Sequence, residues 1–277
     1  MQRQKKVCLK KRNKKNTPIK IEVTILGTGT SQGVPVIGCQ CEVCRSTDPR
    51  DKRLRVAAMV EVGDRRLVID CGPDFRQQML RESVNELDAI LLTHEHNDHI
   101  IGMDDVRPFN FSQQKDMPVY ATDRVAGALR QRFSYVFDAE PYPGAPKLQI
   151  HSIDAEHPFT AAGIEVIPVA ILHGDLPILG FRIGDFAYLT DVKTIPEAEM
   201  SKLRGLHTLV INALHFNPHH THLNVPEALE MIEQIQPKQA FLTHVSHRIG
   251  LYAQMQKKLP AGVGLAYDGL RFVVENN

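Results

Sequence analysis

The chain has 277 residues, 43% of them hydrophobic, enough for one large domain with a substantial core. Its net charge of +1 hides an asymmetry: residues 1–20 hold nine basic side chains and no acidic one, leaving 24 basic against 32 acidic in the rest. No apolar run approaches the roughly 18 residues of a membrane span and no secretory signal is visible, so the expectation is a cytoplasmic protein without membrane association.

Residues 1–19 are expected to form a basic, solvated, disordered tail, with an RNA-binding arm as the alternative, and the folded domain is expected over residues 20–277. Ile21, Val23 and Ile25 alternate with polar residues and predict a half-buried first strand. The glycine-rich loop Gly27 to Pro35 lacks the Gly-Lys-Ser/Thr of a nucleotide P-loop. Cys39, Cys41 and Cys44 then place three thiols within six residues. A tetrahedral zinc needs four ligands, so this knuckle is one short, and independent free thiols are the other reading. Two strands around Gly63-Asp64 predict a hairpin that ends at Asp70, which could orient a metal-bound histidine or cap a turn. Cys71 reads as a small buried hydrophobe, and Pro73 as the start of a helix through Arg81.

The apolar run Leu87 to Leu92 leads into Thr93-His94-Glu95-His96-Asn97-Asp98-His99. Four potential ligands in six residues are hard to explain as packing; His94 and His96 could face one metal, Asp98 and His99 a second. Such a loop cannot close two sites alone, so further ligands must come later. A helix after Gly102, a strand Pro118 to Ala121, a helix Thr122 to Arg132 and an irregular loop Tyr135 to Pro146 are expected next. Strands then deliver His173, Asp191 and His244, each at its C-terminal end, and a helix over Val225 to Ile235 carries Pro226 in its first turn. His151, His157 and His207 are expected to be structural or exposed, and His215 could support the site. The hairpins argue for mixed sheets in one layered α/β domain.

The ordered set His94-x-His96-x-Asp98-His99, His173, Asp191 and His244 resembles the metallo-β-lactamase superfamily over roughly residues 20–277. The resemblance implies an αββα sandwich with mixed sheets and a dinuclear site along one edge. Gly27 to Ser31, the cysteine knuckle, Tyr188-Leu189-Thr190-Asp191 and Thr243-His244-Val245-Ser246-His247 are similar to its phosphodiesterase branch, most narrowly to the phosphoribosyl 1,2-cyclic phosphate phosphodiesterases. That likeness implies one ion on His94, His96 and His173, another on Asp98, His99 and His244, and Asp191 between them. The ions would be zinc or manganese, whose shared hydroxide attacks a small or cyclic phosphodiester. It further implies a structural zinc on Cys39, Cys41, Cys44 and His247. His222 would be the general acid, with His220 next, and Asp98 counts among the catalytic residues as well as the ligands. A homodimer is possible. Competing readings are an RNA-processing nuclease of the same superfamily, a lactam or thioester hydrolase, and a non-catalytic metal-binding module.

Overall fold

A computed structural model describes residues 20–275, and the basic tail assigned to residues 1–19 lies outside them. Six strands follow one another into a first sheet: β1 (Lys20–Gly27), β2 (Ala57–Val62), β3 (Arg65–Ile69), β4 (Ala89–Leu91), β5 (Met117–Ala121) and β6 (Leu148–Ser152). The next seven build a second: β7 (Phe159–Ala161), β8 (Ile164–His173), β9 (Leu176–Ile183), β10 (Phe186–Leu189), β11 (Thr208–Asn212), β12 (Gln239–Thr243) and β13 (Val263–Leu265). The last strand, β14 (Arg271–Glu275), returns to pair antiparallel with β1. Both sheets are mixed, antiparallel over β1–β3 and β7–β10 and parallel over β3–β6 and β10–β13. Gly63 and Gly184 turn two of the tight hairpins at φ of 62° and 52°, a region glycine enters without steric cost.

Seven α-helices lie among the described residues: α1 (Glu42–Arg45), α2 (Phe75–Arg81), α3 (Asn97–Ile100), α4 (Arg107–Gln113), α5 (Asp123–Arg132), α6 (Val225–Ile235) and α7 (Tyr252–Gln256). Strand periodicity divides the apolar side chains between layers. Val60, Leu67, Ile69 and Leu91 meet Leu179, Phe181, Tyr188 and Val210 between the sheets. Val68 and Ile90 face outward onto Phe75, Met79, Val125 and Leu129. On the far side Leu209, Ile211 and Leu242 pack under Val225, Ala228, Ile232 and Ile235 of α6. The result is an αββα sandwich. No helix among the described residues is long and apolar enough to cross a membrane.

The α6 span matches the expectation, and a capping box explains its sharp start: Asn224 accepts from the Glu227 N–H while the Glu227 carboxylate accepts from the Asn224 N–H, each at 2.9 Å. The helix expected to start at Pro73 starts instead at Phe75. Its N-cap, Asp74, makes no cap bond because its carboxylate is taken by the Arg55 N–H at 2.8 Å and guanidinium at 3.1 Å. The helix expected after Gly102 is α4, and a separate helical turn, α3, comes before it, so Asp98 and His99 lie in that turn while His94 and His96 precede it.

Candidate metal centres

Strand direction decides where the ligands go. In the first sheet β1, β3, β4, β5 and β6 run one way, and in the second β8 and β10–β13 do the same. Their C-terminal ends meet along one edge, where the Leu179 N–H donates to the Thr93 carbonyl at 3.1 Å. His94, His96, Asp98 and His99 follow β4, His173 ends β8, Asp191 follows β10 and His244 follows β12. Asp70, Asp191 and His244 leave their strands at φ of 66°, 58° and 51°. Left-handed backbone is unfavourable for these side chains, and such strain concentrates where function fixes the chain.

Asp191 lies at the middle of the cluster. Its carboxylate is 3.1 Å from His244 Nε2, 3.4 Å from His99 Nε2 and 3.7 Å from His222 Nδ1. Three sets of donors fall within 4.8 Å of one another: His94, His99 and Asp191; Asp98, His99 and His244; and His173, Asp191 and His222. His96 reaches the cluster through His94, whose Nε2 is 3.0 Å from His96 Nδ1. The far side of three of the rings is held. His99 Nδ1 donates to Asp70 at 2.7 Å, His173 Nδ1 to the Thr221 carbonyl at 2.8 Å, and His94 Nδ1 meets the Thr93 hydroxyl at 2.9 Å. Such bonds fix which nitrogen faces a metal. Asp70 thus takes the orienting role, and it also accepts from Thr93 N–H and hydroxyl.

A divalent cation fits this set. Among buried atoms without a hydrogen bond are His99 Nε2, both ring nitrogens of His244, and His222 Nδ1. An unmet buried polar atom costs about 1–3 kcal/mol, so several together call for a partner of another kind. Charge agrees. Burial, the largest cause in each case, pushes the His94, His96 and His244 rings down toward the neutral, ligating form. Burial works to raise the Asp191 carboxyl, yet His244, His99 and His94 hold it well below the usual carboxylate range. His99 goes the other way: against burial, Asp70 and Asp191 push it well above an ordinary imidazole, so the carboxylates draw positive charge into the centre.

Sequence left the choice between His220 and His222 open. His222 faces the centre, its ring 4.6 Å from that of His173 and 4.7 Å from that of His244. Burial first, then His244, push it down to about 2. His220 is exposed and stacks on His219 at 4.6 Å. His215 is buried with an unpartnered Nδ1, whereas His157 is exposed and paired with Asp154 at 3.0 Å.

The cysteine knuckle forms a separate group. Cys39, Cys41 and Cys44 place their sulfurs 3.3, 3.3 and 3.5 Å from His247 Nδ1, and all four donor atoms lie within 4.8 Å of one another. Three sulfurs and one imidazole make a closed tetrahedral zinc set. Backbone pairing brings them together. The Val245 N–H donates to Thr28 at 2.9 Å and the Thr30 N–H to Val245 at 3.3 Å, laying the loop after β1 beside the residues that lead to His247. The Cys44 N–H, aimed at Cys41 as N-cap of α1, is the main cause lowering that thiol to about 6.

Two features escaped the sequence reading. A Cβ on Gly72 would stand 2.0 Å from the Asp98 carbonyl, and one on Gly102 would stand 2.0 Å from the Gly72 carbonyl, so α3 rests directly on the turn after β3. Asp268, given no role, accepts from the Thr28 hydroxyl and the Leu54 N–H at 2.7 Å each, fastening both ends of the knuckle loop. Its partners lie more than two hundred residues away in the chain, a separation that leaves no local signal.

Comparison with known proteins gives the site its relatives. The chain is 42% identical over 253 residues to a Porphyromonas gingivalis protein named octanoyltransferase, covering 91% of this chain and 51% of that protein. It is 26% identical over 172 residues to coenzyme PQQ synthesis protein B of Xanthomonas euvesicatoria, covering 57% of this chain and 54% of the relative. The chain thus spans about half the length of these curated relatives. A crystal structure described as a new diphosphatase from the PhnP family is 40% identical, superposes with a TM-score of 0.88, and covers 94% of this chain and 99% of its own. Zinc-bound PqqB from Methylobacterium extorquens, at 19% identity and a TM-score of 0.73 over 91% of this chain and 99% of its own, shares the fold. The model of the beta-lactamase superfamily domain matches residues 65–245, and the chain belongs to the metallo-β-lactamase superfamily.

Proposed function

We propose that the protein is a metal-dependent phosphodiesterase of small or cyclic phosphodiesters. One observation carries this reading: seven ligand side chains from both sheets converge at one edge, with buried ring nitrogens that make no hydrogen bond. His94, His96 and His173 would hold one divalent ion, Asp98, His99 and His244 another, with Asp191 between. When bound, such a pair neutralises phosphate charge and acidifies the attacking water. The chain's own part is to aim these groups: Asp70 steadies His99, Thr93 steadies His94 and the Thr221 carbonyl steadies His173. His222, between His173 and His244, gives a proton to the departing sugar oxygen as the bond from phosphorus to that oxygen breaks. The anionic phosphate beside it favours the charged imidazole and so opposes the effect of burial.

A diphosphate is the second reading, favoured by the 40% identical diphosphatase neighbour. Metal-reconstituted protein on a panel of cyclic phosphates, alkyl and aryl phosphodiesters, diphosphates, RNA and an acyl thioester tests both. Turnover of the small phosphodiesters is expected; turnover of the thioester or RNA alone overturns the proposal. His222→Gln should slow alkyl esters by roughly 100-fold or more and spare a nitrophenyl ester, whose leaving group needs no proton.

A further inference from the structure

The trio His94, His96 and His173 spans both sheets, and its rings stand 4.6, 5.8 and 5.3 Å apart. Three imidazoles from different elements hold that spacing only if the seam between the sheets is fixed. One side chain crosses that seam at the trio. Arg124, in the first turn of α5, lies with Nη2 3.2 Å from the Glu95 carboxylate and donates to the Pro177 carbonyl at 2.5 Å. Glu95 lies between His94 and His96 in sequence. Pro177 pairs across β8 and β9 with Leu172, the neighbour of His173. A single guanidinium therefore grips the residue between two ligands and the strand position beside the third. The grip has a firm base: Thr122 caps α5, Asp123 accepts from Ser152 at 2.5 Å, and Val125, Ala126 and Leu129 are buried beneath the helix. No comparable contact runs from Arg124 to Asp98, His99 or His244; Asp70 orients His99, and the Gly72 contact sets the Asp98 backbone.

We infer that Arg124 is a positioning residue that sets His94 and His96 against His173, and that it governs affinity for the ion on this trio alone. The inference rests on the two-ion reading above. Arginine suits the task because its permanently charged guanidinium reaches the Glu95 carboxylate and the Pro177 carbonyl from one terminal nitrogen, Nη2.

The test is cobalt or zinc titration of full-length wild type, Arg124→Met, Arg124→Lys and Glu95→Gln against a competing chelator, counting ions per chain. Cobalt–thiolate absorption reports the knuckle separately and shows that each variant is folded. The expected result is one catalytic ion held roughly 10- to 100-fold more weakly in Arg124→Met and Glu95→Gln, as for other residues that orient ligands. The second catalytic ion and the thiolate-bound ion should be unchanged, and Arg124→Lys should recover part of the loss. Glu95→Gln removes the same ion pair from its other end should Arg124→Met fail to fold. Two wild-type ions with equal or unchanged affinities in the variants would overturn this inference alone. Fewer than two wild-type ions outside the knuckle would overturn the two-ion reading and the inference with it.

Discussion

The two candidate metal centres are built in opposite ways. The edge centre takes its ligands from the ends of four strands in two sheets, and most of them are buried. The knuckle takes three ligands from one short loop and a single distant one, and its Cys39 and Cys41 are only half-buried. Their chemistry differs in the same sense. Imidazoles with carboxylates leave coordination positions for water and substrate, while three sulfurs with an imidazole close a tetrahedron. The edge centre is therefore a product of the completed fold, and the knuckle is a staple that holds one loop of it. Removing a ligand should cost activity at the first and stability at the second.

Asp191→Ala is expected to give the largest effect. This carboxylate touches His244, His99 and His222 and belongs to two of the three donor sets, so its loss should weaken both catalytic ions. Residues that merely orient ligands cost 10- to 100-fold, so a drop in kcat/KM of more than about 100-fold is expected, with the knuckle ion retained. Kinetics joined to metal counting checks it. Retention of both catalytic ions at wild-type affinity would erase the contrast between the centres.

Cys41→Ser should do the reverse. The knuckle ion is lost, the catalytic pair stays, and Tm falls by roughly 5–10 °C, equivalent to about 2–3 kcal/mol for a chain of this size. Calorimetry of metal-loaded protein measures it. Activity lost in step with the knuckle ion at temperatures below Tm would show that the staple also shapes the catalytic edge.

The same contrast explains what sequence made legible. His94 to His99 stands out because four potential ligands crowd one segment, and Cys39 to Cys44 because three do. His173, Asp191 and His244 were found because apolar runs announced the strands that end there. The left-handed turns at Asp70, Asp191 and His244 were not foreseen, since neither aspartate nor histidine marks a positive φ as glycine does. β14 pairs with β1 across the whole chain, and long-range pairing of that kind leaves no local signal. Nothing in the sequence singles out Glu95, because its partner Arg124 arrives from another element.

Asp268 links the knuckle loop to pH. Its side chain is 8% exposed, and burial, the largest cause, pushes its carboxyl up to about 6 against the pull of Leu54 N–H, Thr28 and the Arg81 and Arg53 guanidiniums. In the unfolded chain the same group titrates near ~3.9. Between these values the folded state holds a proton that the unfolded state has released, so this group's contribution to stability falls as pH rises from about 4 to about 6. Two pKa steps correspond to about 3 kcal/mol, present in full below about pH 4 and lost in full above about pH 6. Asp268→Asn cannot ionise. Its amide oxygen can still accept from Leu54 N–H, and its amide N–H can turn to the Thr28 hydroxyl, in place of the two bonds the carboxylate accepts. The variant should therefore gain on the wild type as pH rises from 4 to 6, by the equivalent of about 3 kcal/mol, and run parallel to it above about pH 7. Denaturant unfolding across that range measures the difference. Parallel curves from pH 4 upward would mean that the clasp on the knuckle loop carries no proton in the folded state, and that its hydrogen bonds outweigh the burial of its charge.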